Sequence, residues 1–177
     1  DIRAIAEARI IIFAGYEVML DRLRESSDSQ AEMIQIETVN TWPVIEKSVR
    51  KIAEAAGTST QAEENLAEIQ AFFSDWRGEL EEYQGTRVIT HLFLQGLARN
   101  LGFEVAGTFG PAPLEAKQLK ELSDTGATLI IDNWHSRVSA PLKEVLSGTP
   151  TVEMINFPGR DETRTLLDVL RYNRAAL

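Results

Sequence analysis

From Gly85 onward the chain alternates short apolar runs with amphipathic helical periods, and this alternation restricts its folding more than any other feature. "RVITH" is followed by "LFLQGLARNLG", with Gly102 as a helix stop, then by "FEVAG", the loop "TFGPAP" and the helical "LEAKQLKELSDTG". "ATLIID", the loop "NWHS", "APLKEVLSG" with Pro141 in its first turn, "TVEMI", the loop "NFPGRD" and a closing helix from about Asp161 complete the series. Four strands each followed by a helix are joined by crossovers, which predicts a mostly parallel four-stranded sheet covered on both faces. Ligands of such sheets gather at the carboxyl ends of the strands.

The first part of the chain carries a shorter version of the same rhythm. A helix with Ile2, Ile5 and Ala6 on one side leads into the apolar run "RIIIF". Gly15 breaks it, "YEVMLDRLRES" resumes a helical period, and "MIQIETV" is strand-like. The middle is helical. Ile45, Val49, Ile52 and Ala56 form one stripe ended by Gly57, and Leu66, Ile69, Phe73, Trp76, Leu80 and Tyr83 form a second that runs to about Gln84. The second stripe predicts a helix about 40 Å long, too short in heptads for a persuasive coiled coil. Its other face, with Glu63, Glu64, Glu68, Asp75, Glu79 and Glu82, is acidic. The expected architecture is α/β: a partial N-terminal lobe over residues 1–42, a helical connector with a long backbone helix over 43–85, and a C-terminal lobe over 86–177.

Charge and composition narrow the chemistry. A formal charge of -9 opposes nucleic-acid binding, because phosphate contacts need clustered Lys and Arg. The absence of cysteine excludes disulfides, thiolate catalysis and Cys-ligated zinc or iron–sulfur centres. No apolar stretch approaches the roughly 20 residues that cross a bilayer. There is no GxSxG elbow, and Gly107 and Gly110 in "GTFGPAP" fit neither a dinucleotide nor a P-loop pattern, so the chain reads as a binder rather than an enzyme.

The groups that could carry binding fall at strand exits of the C-terminal lobe. His91 closes its first strand, Asp132 its third, and Asn133, Trp134, His135 and Asn156 share the same edge. An imidazole and a carboxylate there could converge on a cation. Equally, His91 could cap the turn that follows, Asp132 could brace a loop through its side-chain oxygens, and Trp134 could close a loop over the core.

Taken together, "DIRAIAEARIIIFAGYEVMLDRL", "VITHLFLQGLARNLGFEVAGTFGPAP", "TLIIDNWHSRVSAPLKEVLSGTPTVEMI" and "LRYNRAAL" resemble the TroA-like substrate-binding proteins of zinc and manganese ABC transporters. The resemblance implies two α/β lobes joined by one long helix, a divalent metal in the cleft between them, a membrane permease as partner and an extracytoplasmic location. It also implies four ligand positions. The first falls upstream of Asp1, so the chain is expected to lack the family's N-terminal segment. The second, in "VNTW", is Asn40. The third is His91, and the fourth falls in "NFPG", where Phe157 or Pro158 stands and Asn156 is the nearest polar group. An amide is a much poorer zinc ligand than an imidazole. The expected cargo is therefore a metal ion bound by His91 with help from His135 and Asp132, or a non-metal or chelated solute lined by Trp134, Trp42 and Phe157. A protein-interaction module built on the acidic helix face is the remaining alternative.

Overall fold

The computed structural model describes residues 2–17 and 29–177. Most of the helix expected from Tyr16 to Ser26 lies outside them. The chain divides into two compact units, one comprising residues 1–38 and 42–70, the other residues 39–41 and 71–177. Among the described residues no helix is long and apolar enough to cross a membrane.

In the first unit, α1 (Ile2–Glu7) precedes β1 (Ile10–Phe13), which pairs in parallel with β2 (Glu32–Gln35) in the register Ile10↔Glu32 to Phe13↔Gln35. β2 ends earlier than its apolar run suggests. The amide of Ile36 makes a last bond to Phe13 O, and by Val39 the backbone has folded into a tight turn in which Thr41 N donates to Val39 O. α2 (Trp42–Ala56), with Pro43 in its first turn, packs on both strands. Ile34, Ile45, Ala53, Ala62 and Leu66 are buried here; of the stripe expected on α2, Ile45 is buried, Val49 and Ile52 are half-buried and Ala56 is exposed, Ala53 taking the second buried place.

The long helix is α3 (Ser59–Glu79), 21 residues, so its sequence stripe overstates it by a turn. The chain then tightens into a 3-10 turn at Glu81–Tyr83. Gln84 fixes that exit, its side-chain amide donating to the carbonyls of Leu80 and Leu101.

The second unit is built on a four-stranded all-parallel sheet of order β4-β3-β5-β6, with β3 (Arg87–His91), β4 (Glu104–Phe109), β5 (Leu129–Asn133) and β6 (Thr151–Met154). The central strands β3 and β5 are buried from their second residue onward, as continuous apolar runs in a doubly covered sheet must be. Between the strands lie α4 (Gln95–Asn100), α5 (Ala116–Ser123) and α6 (Ala140–Val145), and α7 (Leu166–Ala176) closes the chain. Ile89, Phe109, Leu122, Ile130 and Leu142 form one buried cluster, with Val138 and Leu119 packed against it.

The closing helix starts five residues later than expected. Thr165 and Asp168 form a capping box, in which the threonine hydroxyl accepts from Asp168 N and the carboxylate accepts from Thr165 N. This reciprocal pair satisfies two free amide donors and sets the helix start at Leu166. Asp161 and Glu162, before it, have positive φ of 47° and 62° and cannot be helical.

Candidate functional site

Parallel pairing brings every strand exit of the second unit to one edge. There β3 delivers His91, β5 delivers Asp132 and Asn133, the turn Trp134–Ser136 follows, and the chain beyond β6 carries Asn156 and Phe157. Across this edge lies the short segment Val39–Thr41. Asn40 Nδ2 donates to Asn156 O at 2.8 Å, and Val39 and Thr41 rest on Gly96. A Cβ at position 96 would stand 2.5 Å from Val39 Cγ1, so the absence of a side chain is what lets the segment lie there.

Amides dominate the centre. Asn133 Nδ2 donates to Asn156 Oδ1 at 3.1 Å, and Asn133 Oδ1 accepts from His135 N at 3.2 Å. The residue beyond Met154 is also held. Asn173, fully buried on α7, accepts from Ile155 N and donates to Ile155 O, both at 2.8 Å, and so extends the strand pairing by one residue. This contact places the backbone of Asn156 where Asn40 meets it. Asn173 escaped the sequence reading, although its signal was present: it falls four residues after Val169 on the apolar side of a helix, where a polar residue must have a partner.

Asp132 is buried, and both of its oxygens are engaged. Oδ1 accepts from Asn133 N at 2.8 Å and Oδ2 from the Ser139 hydroxyl. It braces the β5 exit against the start of α6, the loop role open to it from sequence.

The aromatic residues form a ladder. The His135 ring stacks on Phe157 with centroids 3.6 Å apart and meets Trp134 edge-on at 5.0 Å. Arg137 and Arg160 lie over Trp134 at 5.6 and 5.2 Å, and both are paired with Glu153. Arg160 also pairs with Asp161 at 3.4 Å, so the two guanidiniums of this corner are matched by two carboxylates. Phe157 is half exposed.

Both histidines are held neutral. Burial pushes the His91 imidazole below its ordinary range, against the opposing charge of Asp132. Burial does the same to His135, assisted by Arg160, while a hydrogen bond with Asn156 opposes it. A histidine whose folded pKa lies below its unfolded value of about 6.5 takes up its proton in the unfolded chain first, so stability is complete above that pH and is lost as pH falls. Carboxylates held low by hydrogen bonds, such as Asp168 and Glu17, act in the same direction but only below about pH 4.5. The urea midpoint is therefore expected to fall between pH 7 and pH 5 with an unchanged m-value. A midpoint flat across that interval would show that neither ring is protected from protonation.

The residues expected at the site are thus partly gathered. Asn40, Asn133, Asn156, His135, Trp134 and Phe157 form one connected cluster, while Asp132 is committed to Asn133 and Ser139, and His91 to its own turn. Trp42 opens α2 in the first unit. Among the described residues no group of three or more His, Asp or Glu side chains is placed to hold a metal ion.

No protein-family model and no curated protein matches the sequence. Solved structures match the fold over nearly its full length. The laminin-binding protein Lbp of Streptococcus pyogenes superposes with a TM-score of 0.76 at 14% identity, over 99% of this chain and 82% of that one. The AdcAII protein of Streptococcus pneumoniae gives 0.74 at 16% identity, over 100% and 82%. The cadmium-bound periplasmic metal-binding protein of Candidatus Liberibacter asiaticus gives 0.69 at 14% identity, over 99% and 81%. The chain adopts the α/β fold of these proteins, the fold class that the resemblance of its sequence implied.

Proposed function

We propose that the chain is the solute-binding component of an ABC-type importer, working outside the cytoplasm and handing its cargo to a membrane permease. The work is binding, with no bond made or broken. The observation that carries this reading is the strand-exit cluster of Asn40, Asn133, Asn156, His135, Trp134 and Phe157, which stands where open parallel sheets hold ligands. Its donors and acceptors are amides beside aromatic rings, a set suited to a small organic or chelated solute.

The competing cargo is a bare divalent ion. Support for it comes from proteins of like fold that bind zinc, nickel or cadmium. The donor set of this chain weighs against it, since Asn40 stands where the resemblance places a histidine and an amide oxygen is a much poorer zinc ligand than an imidazole.

Native mass spectrometry of the purified chain, compared with its denatured mass, tests the reading. A co-purifying organic mass that is lost on unfolding is expected. Zinc or manganese chloride in large excess is expected to leave the melting temperature unchanged, whereas a bound ion at 100-fold its Kd would add about 2.7 kcal/mol. A metal-dependent rise in the midpoint would replace the organic cargo by a metal. A chain recovered bare and stabilised by no solute would remove the importer reading itself.

A further inference from the structure

The histidine at the implied metal-ligand position is already committed elsewhere. His91 is fully buried, and its Nδ1 accepts a hydrogen bond from Phe93 N at 3.2 Å, the cap of the 3-10 turn Leu92–Leu94. A neutral imidazole has one nitrogen with a free lone pair and one that carries hydrogen. With Nδ1 accepting, the proton is on Nε2, which is then a donor and has no lone pair to give a cation.

The surroundings of Nε2 agree. It lies against Gly110, where an added Cβ would stand 2.5 Å from Nε2 and 3.2 Å from Val138 Cγ2. The ring is flanked by Phe93 at 5.1 Å and by Phe109 edge-on at 5.6 Å. Nε2 has no hydrogen-bond partner in this apolar corner. Asp132, the nearby charge, spends its oxygens on Asn133 N and the Ser139 hydroxyl.

Coordination through Nε2 would need the proton on Nδ1. That N–H would then face the amide N–H of Phe93, donor against donor, and the cap would be lost. Metal-ligating histidines normally donate from their second nitrogen to an acceptor, and here the second nitrogen faces a donor.

We propose that His91 is a positioning residue: its Nδ1 caps the turn that follows β3, its proton resides on Nε2, and it coordinates no divalent cation. The role stands apart from the importer reading, because a chain with any other task would need the same cap.

Selective 15N labelling of histidine in the full chain gives the test. Only two histidines are present, so His135→Gln assigns both rings. At neutral pH His91 is expected as the Nε2–H tautomer, unchanged by excess zinc chloride, while His91→Leu speeds amide exchange at Phe93 about fivefold, as loss of a typical cap does, and His91→Asn restores most of the protection. An Nδ1–H tautomer, a zinc-dependent change at Nε2, or unaltered Phe93 exchange in His91→Leu would overturn the assignment. If the leucine variant does not fold, the tautomer and its response to zinc in the unaltered chain still decide it.

Discussion

Trp76→Ala is expected to lower the unfolding free energy by about 3–5 kcal/mol, the usual cost of truncating a large buried aromatic. Trp76 is 1% exposed on α3 and packs with Phe73 and Phe72 at centroid distances of 6.4 and 5.9 Å. Removing the indole takes away apolar contact and leaves a void that neighbouring side chains on a rigid helix can fill only in part. Phe72 is also overlain by Arg174, whose guanidinium pairs with Glu79, so the loss extends to the seat of α7. Urea denaturation checks the value. A change below about 1 kcal/mol would mean that the region repacks freely and that the stripe on α3 is not a fixed core.

The second large effect is expected at Asn173. Its side chain satisfies both backbone groups of Ile155 in a buried setting. Asn173→Leu fits the apolar side of α7 by volume but orphans one donor and one acceptor, at about 1–3 kcal/mol for each unpaired group. A loss of about 2–6 kcal/mol is expected, together with faster amide exchange at Ile155. Because Ile155 precedes the carbonyl that Asn40 binds, the loss should reach the cluster, and the amide proton resonances of Asn40 should move. Unchanged Asn40 resonances in a folded Asn173→Leu chain would separate the two contacts.

Much of this architecture could be read from period alone. The apolar residues at 88–89 and 129–131 mark the two central strands, where burial on both faces favours continuous hydrophobicity until the polar strand exits. Ends were less legible. α7 begins at a capping box, and α3 gives way to a 3-10 turn that Gln84 holds through two carbonyls. Such ends depend on single side-chain bonds to distant backbone, which a periodic pattern does not encode.

At the candidate site the sequence could place residues on one edge but could not say where their lone pairs point. His91 reads identically whether it is ligand or cap. The difference is the direction of one hydrogen bond from Phe93 N, and that depends on how the chain turns after β3. Asn40 was legible through the resemblance as a ligand position two residues before a tryptophan, but not by its partner. Its partnership with Asn156 spans over a hundred positions and needs the fold to be seen.

The membership of Val39–Thr41 in the second unit bears on how such a protein can be inherited. A recombination event that moved residues 71–177 as a cassette would carry the sheet, the aromatic ladder and Asn173, yet leave behind the amide that binds Asn156 and the side chain seated on Gly96. Residues 39–41 are therefore as much a part of this unit as its own strands, and a graft of 71–177 without them is expected to lose both contacts.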